Sequence, residues 1–139
     1  MSMTKTDLQE YYWTKRNVEK LEQRLEELYT MATNITASLK KDADAIHGQG
    51  QTSDKVGNIV AEMELTRAEI QRTIEQGYTI LRQIEQAIKA LPARETYLIR
   101  ARYIEHHSWE QIAVDMSYSW RQIHSIHSGA LQILGGEKK

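Results

Sequence analysis

The first third of the chain repeats apolar or small side chains in alternating steps of three and four. The positions are Tyr11, Thr14, Val18, Leu21, Leu25, Leu28, Ala32, Ile35 and Leu39. Such steps bring the side chains to one face of an α-helix and make the seam of a coiled coil. The residues between them are mostly Glu, Lys, Arg and Gln, which suits a solvated face. The pattern predicts a long helix over about 4–45.

A second seam follows a polar stretch that contains three glycines, residues 47–57. These residues break the helical period, and Ser53 or Asp54 can cap a new helix. Beyond them, apolar positions recur at heptad spacing in two columns. The columns are Val56, Met63, Ile70, Gly77, Ile84 and Leu91, and beside them Val60, Ile74, Leu81 and Ile88. They predict a second helix over about 55–90.

Two helices of similar length joined by a short turn predict an antiparallel hairpin. We therefore expect residues 1–90 to form a coiled-coil arm with its turn at about 46–55, although the same heptads also occur in ordinary helical bundles. Ile59 and Ile80 widen the stripe of the second helix beyond what one partner helix covers. An exposed apolar stripe of that size usually marks an interface, so we expect a homodimer through the arm. In the alternative, the rest of the chain folds back on the stripe and completes a monomer.

The last third of the chain contains three shorter apolar segments, whose boundaries are marked by one proline and two serines. Pro92 ends the second helix and suits the first turn of the next helix, predicted over about 92–105. Ser108 and Ser119 each precede a glutamine by three residues, which is the pattern of a capping box. The serines predict two further helices, 109–116 and 120–134.

Two capped helices this close together, the first barely two turns long, are typical of a helix-turn-helix. The chain is therefore expected to be all-α, with this motif forming a second domain over residues 91–139. The face of the last helix opposite Ile123 has no acidic residue, and Arg and Gln side chains there can read guanine and adenine in the major groove of double-stranded DNA. The residues predicted to contact DNA are Ser119, Trp120, Arg121, Gln122, His124, Ser125 and Ser128.

One pattern within residues 91–134 is more specific than helix signals alone. It runs through Leu91-Pro92, Arg102-Tyr103, Ser108, Glu110, Ile112-Ala113, Ser119, Ile123, Ala130-Leu131 and Leu134. This segment resembles region 4 of bacterial sigma factors. The resemblance implies a helix-turn-helix that binds promoter DNA, with RNA polymerase as a further partner. Trp120 stands where sigma factors commonly have an arginine, so their preferred DNA sequence does not carry over.

The whole chain is similar to small phage and prophage transcription regulators of the ArpU and RinA type. The similarity is clearest in Ser-Trp-Glu-x-Ile-Ala from Ser108 and Tyr-Ser-x-Arg-Gln-Ile-His from Tyr118. Nothing resembles the sigma region that reads the −10 element, so a complete sigma factor is not expected. Two other functions stay open: a small terminase subunit for DNA packaging, and a sigma mimic that docks on RNA polymerase. The sigma mimic stays open because the formal net charge of −1 gives no general support for DNA binding.

Composition excludes several classes of chemistry. The 139 residues contain no cysteine, which removes disulfides, thiolate zinc sites and cysteine nucleophiles. No phosphate-binding or nucleophile motif occurs, so we expect no enzyme and no catalytic residue. His124 and His127 have ligand-like spacing without further converging ligands, so we expect neither metal nor cofactor. No apolar run is long enough to span a membrane and no signal peptide is visible, which predicts a cytoplasmic protein.

Overall fold

The computed structural model describes residues 2–41 and 49–136, with the side chains of 2–38 and 53–136. These residues form five α-helices and no strand, as the sequence predicts for the fold class. The helices are α1 (Lys5–Lys41), α2 (Gln49–Ile88), α3 (Ala93–Ile99), α4 (Trp109–Met116) and α5 (Trp120–Leu134). Within the described part of the chain, no helix is both long enough and apolar enough to cross a membrane.

The first helix buries the seam that the sequence predicts. Every seam position from Tyr11 to Ile35 is buried or half-buried. The helix begins after Thr4, whose hydroxyl oxygen accepts a bond from the Asp7 N–H at 3.2 Å while the Asp7 carboxylate accepts one from the Thr4 N–H at 2.8 Å. This reciprocal pair satisfies two N–H groups that a helix start leaves without partners. α1 is described as far as Lys41, so its predicted end near residue 45 lies outside the described residues.

The second helix begins earlier than predicted. α2 is helical from Gln49, so Ser53 and Asp54 lie inside its first turns and are not caps. The turn expected at about 46–55 is therefore wrong in its second part, and its first part lies outside the described residues. Each residue added to an existing helix adds a backbone hydrogen bond, and an interior glycine costs only about 1 kcal/mol relative to alanine. Gly50 and Gly57 both lie inside α2 and are therefore too weak a signal to stop the helix.

The helix predicted over 92–105 is not uniform. α3 ends at Ile99, and Arg100–Ile104 continue it as a π-helical turn. The N–H of Glu105 donates to the carbonyl of Arg100, five residues earlier, at 2.9 Å. A π-helical turn is wider than an α-helical one and changes which side chains follow the buried face. Sequence periodicity gives no signal for such a turn.

The chain divides into two compact units. The first comprises Met1–Lys15 together with Gln76–Lys139, and the second is Arg16–Glu75. The division predicted from the sequence, between residues 90 and 91, falls inside the first unit. In the second unit, Leu28 of α1 and Met63 of α2 are buried. An ion pair also joins the two helices there, between Arg24 and Glu62 at 3.3 Å.

Helices α1–α5 all contribute to the core of the first unit. Leu8 of α1 is fully buried together with Ile84 and Ile88 of α2. The other members of this core are Leu91, Leu98, Ile99, Ala101, Tyr103, Ile112, Ile123, Ile126, Ala130 and Leu134. The N–H of Met3 also donates to the carbonyl of Leu134, at the end of α5, at 2.8 Å. The first residues of the chain thus belong to the fold that holds α3, α4 and α5.

The apolar stripe of α2 is less exposed than the sequence predicts. Ile88 is buried in the core of the first unit, Ile74 and Leu81 are half-buried, and Val60 is exposed. The column of α2 that lies beside the column of Met63 on the covered side is a different one from the predicted second column. Its residues are all half-buried: Ile59, Thr66, Thr73, Ile80 and Ala87. A helix packed on one partner buries positions three and four apart, which places the predicted second column at the edge of the contact. The surface expected to form a dimer is correspondingly smaller.

Candidate nucleic-acid interface

The turn between α4 and α5 is three residues long. α4 ends at Met116, and Ser117 adopts a left-handed backbone conformation with φ of 58°. The N–H of Tyr118 then donates to the carbonyl of Ala113 at 3.1 Å. A left-handed residue followed by such a bond closes the end of a helix and reverses the chain. The chain leaves this turn at Ser119, where α5 begins.

Ser108 and Ser119 cap α4 and α5 as predicted, and both helices begin at the predicted residues. The Ser108 hydroxyl oxygen accepts a bond from the Gln111 N–H at 3.1 Å. At α5 both bonds of the capping box form: Ser119 Oγ accepts from the Gln122 N–H at 3.2 Å, and Gln122 Oε1 accepts from the Ser119 N–H at 2.8 Å. The box occupies the amide oxygen of Gln122. Its NH₂ group and the Ser119 hydroxyl keep protons that can be donated to DNA.

α5 has one buried and one exposed face. The buried residues are Ile123, Ile126, His127, Ala130 and Leu134. The exposed residues among those predicted to contact DNA are Ser119, Trp120, Arg121, Gln122, Ser125 and Ser128. No residue of α5 is acidic. Between its cap Ser119 and Ser128, the helix therefore presents six polar or aromatic side chains without a negative charge.

Arg121 differs from the other arginines of the C-terminal helices. Arg94 pairs with Glu95 at 2.7 Å, and Arg100 pairs with Glu85 at 3.5 Å. Arg102 lies 4.5 Å from the ring of Trp109 and donates to the carbonyl of His107 at 3.0 Å. Arg121 is exposed and has no ion pair or hydrogen bond with any described residue. Its guanidinium is therefore free to bind an external acceptor.

His124 does not lie on the outer surface as predicted. Its ring is half-buried between two indoles, 3.9 Å from the centre of Trp120 and 4.7 Å from that of Trp109. Its Nε2 atom is buried and has no hydrogen-bond partner among the described residues. The imidazole lies inward, where it fills the space between the two large rings. His124 therefore supports Trp120 instead of reaching outward.

His127 is the buried polar residue of α5. Its Nε2 and the hydroxyl oxygen of Tyr103 are 2.6 Å apart and share a hydrogen bond. Burial lowers the pKa of His127 to about 4, with smaller contributions from Lys5, His124 and Arg102. Burial also raises the pKa of Tyr103 to about 12, against the effect of Arg102. Both side chains are consequently neutral at pH 7, and the pair is a core contact.

Comparison of the chain with protein-family models, curated proteins and solved structures finds no match. An inference about function therefore rests on the side chains of the first unit. In the described part of the chain, His, Asp and Glu side chains form no group of three or more that could hold a metal ion.

A second group of rings lies where α1 meets the segment before α4. His106, with φ of 61°, stacks on Tyr11 at 5.8 Å and meets the edge of Tyr12 at 5.1 Å. Burial lowers the pKa of His106, as do Lys15 and Arg102. Neither this group nor the row around His124 was predicted. The spacing of His124 and His127 on one face was a usable signal, whereas nothing in the sequence links Tyr11 to His106.

Proposed function

We propose that α3, α4 and α5 form a helix-turn-helix that binds double-stranded DNA, and that the protein is a transcription regulator. One observation carries this proposal. One face of α5 exposes Trp120, Arg121, Ser125 and Ser128 without a neighbouring acid on the helix, while its other face is buried. The resemblance to sigma region 4 and to phage regulators favours promoter DNA as the ligand and RNA polymerase as a second partner.

The geometry of α5 suits the major groove. The groove admits an α-helix, and residues at the start of a recognition helix commonly contact base edges. Arg121 lies in the first turn, where its free guanidinium can bind guanine bidentately. Ser125 and Ser128 are small enough to let the helix approach closely and to donate to phosphates or bases. The partial positive charge at the helix start adds a sequence-independent attraction to the backbone.

Arg121→Ala is expected to weaken binding to the specific site by about 1–3 kcal/mol, or about 5- to 150-fold, because a bidentate base contact is lost. Unfolding free energy should change by less than about 0.5 kcal/mol, because the side chain is exposed. Binding is measured by anisotropy titration on the site found by footprinting the DNA that flanks the gene.

The matched control is Arg72→Ala, which removes one positive charge from an exposed position of the second unit. It should leave affinity nearly unchanged, apart from long-range electrostatics that salt screens. Equal affinities of the wild type, Arg121→Ala and Arg72→Ala would place the reading surface elsewhere. Absence of any footprint would count against DNA binding itself.

A homodimer is part of the proposal because two-fold DNA sites match two-fold proteins. The support from the described side chains of α2 is limited to its exposed large hydrophobic residues Val60, Leu65 and Tyr78. Sedimentation equilibrium at micromolar concentration should give twice the chain mass of 16.1 kDa. A 16.1 kDa species would contradict the dimer. A ring-sized particle would instead favour a DNA-packaging subunit.

A further inference from the structure

Trp120 is the exposed end of a row of aromatic rings that contact one another in the first unit. Its ring centre is 3.9 Å from that of His124, and His124 is 4.7 Å from Trp109. Trp109 is in turn 4.7 Å from His127, which shares the buried hydrogen bond with Tyr103. The row thus runs from a hydrogen bond in the core to the surface at the start of α5. Each ring limits the movement of the next.

The indole of Trp120 is both exposed and held in place. The residue is 63% exposed although His124 packs against its ring, so much of the indole faces solvent. Its backbone is fixed by the capping box of Ser119 and Gln122, since Trp120 is the first residue of the helix. An immobilised aromatic surface loses little conformational entropy when a ligand stacks on it. Trp120 therefore has the properties of a stacking platform.

The side chains around this platform indicate what can stack on it. Arg121 follows Trp120 directly, its guanidinium has no partner among the described residues, and no residue of α5 is acidic. A flat π-system attached to a negatively charged phosphate matches this combination of indole and guanidinium. Bases stack on aromatic side chains in proteins that bind unpaired strands, and inserted apolar side chains open base steps in duplexes.

We propose that Trp120 stacks on an unstacked base, so that the preferred ligand is double-stranded DNA with an opened base step. This inference rests on the DNA binding proposed above and specifies the class of DNA. Arg121 contacts the paired DNA beside the opened step. His124 and Trp109 are positioning residues, which keep the indole in place without touching DNA.

The test uses the full chain and the footprinted duplex, labelled with fluorescein. A second series of duplexes carries one extra 2-aminopurine nucleotide, moved in single steps across the site. Wild-type protein should bind at least one bulged duplex about 5- to 100-fold more tightly than the paired duplex, the range expected for stacking on one base. The 2-aminopurine fluorescence should fall on binding, because stacking on the indole quenches it.

Trp120→Leu should bind the paired duplex and lose the preference and the quenching, whereas Trp120→Phe should keep part of both. The matched control is Trp13→Leu, which removes an equally exposed indole, 60% exposed, from α1 and should change neither. Circular dichroism melting checks that the variants are folded. Equal wild-type affinity for all duplexes would overturn the proposal, as would a Trp120→Leu variant that keeps the quenching or weakens on paired and bulged DNA alike.

The two proposals fail in different ways. If Arg121→Ala weakens binding to the paired duplex but no bulge is preferred, DNA binding stands and stacking is wrong. If the wild type binds neither kind of duplex, both are wrong.

Discussion

Leu8→Ala is expected to lower the unfolding free energy of the first unit by about 2–5 kcal/mol, as much as Ile123→Ala in α5. Both side chains are 0% exposed and belong to one core, although 115 positions separate them in the sequence. Each truncation removes buried apolar surface and leaves a cavity, because the surrounding helices relax only in part. A loss of this size is a large fraction of the stability of a small domain.

Urea denaturation followed by tryptophan fluorescence measures this loss, since all three tryptophans lie in the first unit. The matched control is Leu65→Ala, which shortens a leucine that is 71% exposed on α2 and should cost less than about 0.5 kcal/mol. A Leu8→Ala variant as stable as the control would contradict the place of the N-terminal segment in this core. It would favour a C-terminal domain that folds without α1.

The elements with strong local signals could be predicted from the sequence. α4 and α5 begin at the predicted residues because Ser108 and Ser119 cap them through bonds to backbone groups three residues away. The seam of α1 was equally predictable, since heptad spacing alone decides which face is buried. In each case the determining contacts lie within one or two turns along the chain.

The features that were missed depend on contacts between distant parts of the chain. Leu8 joins α5, and Ile88 is covered, only because α3, α4 and α5 pack against the ends of α1 and α2. The early start of α2 at Gln49 was missed for a different reason: a glycine lowers helix propensity by only about 1 kcal/mol, and tertiary packing, which supplies most helical stability in proteins, overrides so weak a local signal. The π-helical turn after Ile99 has no sequence signal at all.

The candidate site shows the same contrast between features set by local sequence and features set by contacts between distant parts of the chain. Helical periodicity placed Arg121, Ser125 and Ser128 on the exposed face, because the fixed rotation of the helix from one residue to the next determines the direction of each side chain. It placed His124 at the side of the helix, where neighbouring elements decide whether a ring is exposed, and so could not show that this ring is half-buried. Trp109 of α4 covers that side, and its position depends on the turn between α4 and α5. Side positions of a helix are consequently the least predictable part of such a site.

Acid is expected to destabilise the first unit through His127. Its pKa is about 4 in the folded protein, against an ordinary value of 6.5, so the unfolded chain takes up this proton first as the pH falls. The stability associated with neutral His127 is therefore present above about pH 6.5 and is lost progressively down to about pH 4. A difference of this size corresponds to about 3 kcal/mol in total. Urea denaturation at intervals of half a pH unit measures the loss.

The variant His127→Gln separates this effect from the titration of carboxylates, which also begins in this range. The variant should be less stable at pH 7, because it replaces a buried imidazole ring. It should lose less stability on acidification, because glutamine stays neutral and can still bond to the Tyr103 hydroxyl. The groups that face His127 from neighbouring elements, Lys5, Arg102 and Tyr103, are the same in both proteins, so their contributions largely cancel in the comparison. Parallel stability curves for the wild type and the variant would show that His127 is not the group responsible. A wild-type curve that falls more steeply than that of the variant between pH 6.5 and 4 would identify His127 as that group.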